Sequence, residues 1–198
     1  AWAQAVTVPA GRTPAFDTAT VYAGQGVGHN LQQLPGAILT ADVDRDRSYF
    51  TALGFGRDLG PLGDGLALLR DTPLASLRYG YEAVLVKHRG LQDNVEAGAT
   101  ARLSTPPLFV GPVGVAAAVG AGLSHAFGRP SYEDGPLDDP QRRYRTQLLF
   151  TFDLEWMARG VDNLSLVTRV HHRSGAYGLV APRHVGSNFL AVGLRYRF

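Results

Sequence analysis

The 198-residue chain has no cysteine, no apolar run long enough to make a membrane helix and no block of like charge. Each gap removes a class of answer. Without cysteine there is no disulfide framework, no thiolate nucleophile and no cysteine-based zinc site, while the redox character of the compartment stays open. A formal net charge of +2, spread rather than massed on one run, argues against a nucleic-acid partner. The stretch from Leu108 to Leu123 carries no charge. At about 1.5 Å per residue it falls short of a hydrocarbon core roughly 30 Å thick. Pro112 interrupts it, and Val113, Val115, Val119 and Leu123 alternate with Gly114, Gly120 and Gly122. No charged n-region followed by an apolar core opens the chain, although Ala3-Gln4-Ala5 has the A-x-A form of a cleavage site. Residues 1–15 are therefore expected to be an export-signal remnant and periplasmic lead-in, with 16–198 a single outer-membrane barrel.

What is present is alternation. Gly 24 and Pro 12 accompany 45% hydrophobic residues, the balance of a turn-rich β protein. Strand patterns of period two run over 17–24, 48–57, from Leu77 to about Val86, 92–103, 113–124, 144–157, 164–174 and 188–198. The strongest sets Leu148, Phe150, Phe152, Leu154 and Trp156 against Gln147, Thr151, Asp153 and Glu155. No soluble edge strand would expose those five apolar side chains. The connection 58–76 is rich in Gly, Pro and Leu, with a helical turn expected around Leu66 to Leu69, and two long polar loops span 25–47 and 126–142. Asp42, Asp44 and Asp46 imitate a calcium loop, but Arg47 stands where that loop needs glycine and Leu53 where it needs glutamate.

The expected fold is all-β: an eight-stranded antiparallel transmembrane β-barrel with long extracellular loops, in the outer membrane of a Gram-negative bacterium. Arg78, Glu82, Glu96, Arg102, Asp153, Glu155, Arg169, Arg195 and Arg197 would face inward as ion pairs, because an eight-stranded interior is just wide enough for side chains. Tyr79, Trp156 and Tyr196 fit interfacial aromatic girdles.

The chemistry concentrates in Arg169-Val170-His171-His172-Arg173-Ser174-Gly175. Strand parity turns Leu164, Leu166, Thr168, Val170, His172 and Ser174 to lipid, and Ser165, Val167, Arg169, His171 and Arg173 inward. His172 and Ser174 therefore share a face at a Cβ spacing of about 6.5–7 Å, within reach of a leaning imidazole. On the last strand the outward parity of Phe198, Tyr196, Leu194, Val192 and Leu190 lands on Asn188, placed to orient His172. His171, His172 and His184 do not make a metal site, since adjacent strand residues point to opposite faces. Neither metal nor cofactor is required, and there is no G-x-S-x-G elbow. A polar trio on a barrel's outside is costly unless it sits at the headgroups or acts on lipid.

Arg169-x-x-His172-x-Ser174, followed by a glycine-containing loop and a terminal strand, resembles the outer-membrane lipid A 3-O-deacylase family. The resemblance implies an eight-stranded barrel that hydrolyses the ester-linked acyl chain at position 3 of lipid A, with Ser174 as nucleophile and His172 as general base. The family's acidic third member corresponds here to Asn188, which holds a tautomer but carries no charge. The family's polar residue after the nucleophile is Gly175, which leaves oxyanion stabilisation to a backbone N–H. Lys87, Arg89, Arg173 and Arg183, near the expected outer rim, would hold lipid phosphates, with lipopolysaccharide and outer-leaflet lipid as partners. Phe198 resembles the terminal assembly signal of outer-membrane barrels. The alternative is a catalytically weak or inactive barrel of the same scaffold that docks a protein through loops 25–47 and 126–142.

Overall fold

The computed structural model describes residues 14–133, 144–182 and 185–198. Its strands are β1 (Thr18–Val27), β2 (Arg45–Pro61), β3 (Arg78–Gly90), β4 (Val95–Ser104), the short β5 (Leu108–Val110), β6 (Val113–Phe127), β7 (Thr146–Ala158), β8 (Leu164–Ser174) and β9 (Gly186–Arg197). All pairings are antiparallel, and β5 only folds back on the start of β6. The other eight close into a barrel, because β1 pairs with β9 as well as β2, and β4 pairs with β6. Closure leaves no free edge, which is what an all-strand structure needs in lipid. No helix among the described residues is long and apolar enough to cross a membrane, and Val113–Phe127 is a strand.

Alternation decides what each strand shows to which side. Val21 is 61% exposed, Leu85 51% and Leu194 52%, whereas their inward neighbours Tyr22, Val86 and Arg195 are 1%, 0% and 4% exposed. Such a leucine-bearing belt is stable only against hydrocarbon. The interior is filled. Phe50, Val84, Val86, Leu149, Val167 and Phe189 form an apolar cluster there. Gly24 and Gly98 make room for it: a Cβ on Gly24 would stand 2.6 Å from the Phe50 ring, and one on Gly98 2.7 Å from Leu149.

A charge network shares the lumen with this cluster. Arg169 forks onto Asp153 with two 2.7 Å bonds, reaches Glu82 at 2.6 Å and stacks over the Tyr22 ring. Arg195 bonds Glu155, Thr20 and Tyr22, and Arg102 bonds Asp153 at 2.6 Å. Arg197 also meets Glu155, and Arg78 pairs with Asp58 at 2.6 Å. Glu96 sits between His88 (2.9 Å) and His171 (3.2 Å), whose rings pack against Phe50. Each buried charge has a partner, which is the condition for keeping it in a low-dielectric interior.

The connections depart from an alternation of short and long. The strand ends Thr18 and Arg197 lie at one end of the barrel, here the terminal end, together with 62–77, 105–112 and 159–163. The opposite, loop end carries 28–44, 91–94, 128–145 and 175–185, of which 91–94 is a tight turn. The 62–77 connection folds into helix α2 (Leu62–Gly65) and two 3₁₀ turns, Ala67–Leu69 and Pro73–Ser76, so its length is taken up by compact local structure. A Cβ on Gly65 would lie 2.6 Å from the Tyr79 hydroxyl. Tyr79 is thus covered by α2, while Trp156 and Tyr196 are exposed on the belt. The loop expected at 25–47 narrows to 28–44, since β1 and β2 run further than the alternation alone indicated, and it contains helix α1 (Leu34–Leu39). Of the second long loop, 134–143 lies outside the described residues.

Candidate active site on the outer wall

β8 carries its polar residues on both faces, and pairing with β9 brings a third outward group alongside. His172 is directly opposite Asn188, and Ser174 is opposite Gly186. On the β7 side Phe150 faces His172 and Leu148 faces Ser174. His172, Ser174 and Asn188 are all half-buried. The His172 ring stacks on Phe150, with centroids 6.0 Å apart and planes 27° apart.

The hydrogen bonds around Asn188 fix how this trio is wired. His172 Nδ1 is 2.7 Å from Asn188 Oδ1, and Asn188 Nδ2 donates to the backbone carbonyl of His29 at 2.9 Å. A carbonyl only accepts, so the amide nitrogen must face His29 and the amide oxygen must face the imidazole. Nδ1 of His172 then carries the proton. Its Nε2 is left with a lone pair, the form a general base requires.

Ser174 Oγ accepts from the Ala176 N–H at 3.1 Å. Among the described residues His172 and Ser174 make no direct hydrogen bond, a contact that unliganded sites often close only on substrate binding. Ala176 has φ +50, the left-handed region, at the start of a 3₁₀ turn over Ala176–Gly178. Such a conformation in a non-glycine residue costs on the order of 1 kcal/mol or more and clusters at working sites.

Four expected roles are corrected by the geometry. The Gly175 N–H donates to the Val185 carbonyl at 3.1 Å, so it is committed to closing the loop and is not an oxyanion donor. The Ala176 N–H beside it donates to Ser174 Oγ itself. Arg173 is fully buried rather than on the rim: it bonds Glu133 at 2.5 Å, Ser124 at 2.9 Å and the Arg145 carbonyl at 2.7 Å. Its parity on β8 had already turned it inward. Lys87 and Arg89 stand on β3, four strands around the barrel from β8, and so on the opposite wall. Lys87 is paired with Asp93, whose carboxyl it holds below its ordinary value. Arg183, together with His184, lies outside the described residues. His171 turns into the lumen towards Glu96, away from His172. No group of three or more metal-ligating side chains forms among the described residues.

Below the trio a groove of about 1050 Å³ crosses the outer wall. Val170 and Leu190, two residues below His172 and Asn188, lead into it; Phe152, Leu154 and Trp156 of β7 form one bank, and Leu34, Pro35 and Ile38 of the 28–44 loop form the other. Arg45 lines it, and Arg145 stands just beyond the start of β7. These residues carried no sequence signal of a site: helix α1 reaches the groove only because its loop folds over the barrel wall.

Comparison with protein-family models and with curated protein sequences finds no match. Solved structures do match. The outer membrane enzyme PagL superposes with a TM-score of 0.57 at 10% identity, over 91% of this chain and 99% of that one. Neisserial surface protein A gives 0.49 at 12% identity, over 91% and 96%. The fold is that of a bacterial outer-membrane barrel. Identities this low carry the architecture and leave chemistry to the residues themselves.

Proposed function

We propose that the protein is an outer-membrane esterase that removes the ester-linked acyl chain at position 3 of lipid A. The observation that carries this reading is the Asn188 amide, held at one end by the His29 carbonyl and presenting its oxygen to His172 Nδ1 two residues from Ser174 on the same face. Ser174 Oγ attacks the ester carbonyl while His172 Nε2 takes its proton, and the resulting imidazolium gives that proton to the leaving sugar hydroxyl. Water, activated by the same imidazole, then releases the fatty acid and restores the serine. The Ala176 N–H, which donates to Ser174 Oγ in the resting site, is released to the oxyanion as that oxygen bonds to the ester carbon. The groove offers the acyl chain an apolar bed continuous with the bilayer, so the substrate arrives without leaving lipid. Arg45, which lines the groove, supplies a cation for the lipid's phosphates. The resemblance around Arg169, His172 and Ser174 and the barrel fold both agree with this assignment.

Asn188 favours a second reading, an inert barrel of the same scaffold. A neutral amide orients an imidazole but does not offset the charge it gains, and the hydroxyl is not yet bonded to the ring. The two readings separate in one experiment: lipopolysaccharide is incubated with the refolded protein and with Ser174→Ala, and the lipid A is weighed by mass spectrometry. Loss of one 3-linked acyl chain with the wild type only supports the esterase. Loss with both proteins removes Ser174 from the mechanism, and loss with neither, but with Asn188→Glu, favours the inert barrel.

A further inference from the structure

The orienting residue of the trio is an amide, and an amide has two unlike ends. A carboxylate facing an imidazole accepts whichever way it is turned; Asn188 accepts through Oδ1 and donates through Nδ2. Turned by 180°, it would donate to His172 Nδ1, move the ring proton to Nε2 and leave no base beside Ser174. The acceptor that Asn188 Nδ2 finds lies on neither β8 nor β9. What prevents the turn is the His29 carbonyl, which would then face Oδ1, acceptor against acceptor.

We propose that the 28–44 loop, through the His29 carbonyl, sets the tautomer of His172 and is thereby a positioning element of the catalytic site. The proposal rests on the esterase reading above and adds a control to it. The loop is seated by a small set of contacts. Gly28 N–H donates to the Asp44 carbonyl at 3.1 Å, Gln25 Nε2 to the Asp46 carbonyl at 3.0 Å, and Tyr132 OH to the Asp46 carboxylate at 2.5 Å. Leu34 and Ala37 of α1 are 1% and 8% exposed, whereas Ile38 and Leu39 are 48% and 87% exposed. The same loop therefore touches both the amide that orients the base and, through Leu34, Pro35 and Ile38, the groove. An acyl chain in the groove packs against α1 and holds the loop down, so occupancy of the groove and the base-competent tautomer favour each other.

The test uses the full chain refolded in detergent micelles with ¹⁵N-labelled histidine, where ring-nitrogen shifts distinguish protonated Nδ1 from protonated Nε2. The wild type should show His172 protonated at Nδ1. Leu34→Ser, which unseats α1, should move His172 towards the Nε2 form and lower the rate of lipid A deacylation at least tenfold. Adding Asn188→Asp, whose carboxylate has no wrong end, should restore both the tautomer and the rate in the unseated loop. Asp46→Ala, which removes the Tyr132 contact without touching the core of α1, supplies the same comparison where Leu34→Ser fails to fold. The proposal is overturned if the unseated variants keep the Nδ1 form, or if the double variant stays as impaired as the single one. A wild type that has the Nδ1 tautomer but cleaves no lipid A would sink the esterase while leaving the loop's control of the ring intact.

Discussion

His171 and His172 are neighbours in sequence and have opposite fates. His171 is 1% exposed in the lumen, where Glu96 bonds it at 3.2 Å with Phe50 packed against it. His172 is half-buried on the outer wall, with a neutral amide on Nδ1. Around them the contrast repeats. Arg169 and Arg173 are paired with carboxylates inside the barrel, while Ser174 outside accepts from a backbone N–H. One strand thus separates two kinds of polarity by the direction of its side chains: inside, charged groups pair with one another, and outside stand the histidine and serine of the proposed site.

Four substitutions break or sharpen that contrast. The largest effect belongs to His172→Asn, which should reduce lipid A deacylation on the order of 10⁴-fold while leaving urea unfolding in micelles unchanged. An equal loss of stability would show that the outer face is structural too. Arg169→Ala removes the forked partner of Asp153 and the shortest ion pair of Glu82, leaving them to Arg102 and Arg195, and should destabilise by about 3–5 kcal/mol. Leu194→Arg on the lipid-facing belt should cost about 2–4 kcal/mol if that residue lies near the bilayer midplane, and little if it lies at an interface. The smallest is His171→Asn, which should cost about 1–3 kcal/mol through the Glu96 bond and leave turnover per folded molecule as it was. A turnover change there would mean that the lumen and the outer site communicate through β8.

Strand parity was legible because it is local. A period of two is written into Leu164 to Ser174 and into Leu148 to Trp156 whatever they pair with, and it told His172 from His171 without coordinates. The same rule turned Arg173 inward, and taking it as a rim cation set its position along the strand above its face. Lys87 and Arg89 misled for a different reason. Their height was readable from the end of a strand, but their place around the barrel depended on which strands are neighbours, and β3 closes opposite β8. The Gly175 N–H was lost to Val185, a contact made by the way the 175–185 loop folds back.

The sequence by itself determined eight alternating strands, an apolar outside with a charged inside, and a histidine and serine on one face, because each follows from neighbours two apart in the chain. Tertiary structure decided the register that sets His172 opposite Asn188, the burial of Arg173 on Glu133, the groove roofed by α1, and the amide orientation imposed by a carbonyl 159 residues away. These depend on barrel closure and on loops folding over its wall, and no local period encodes the distance between residues that only closure brings together.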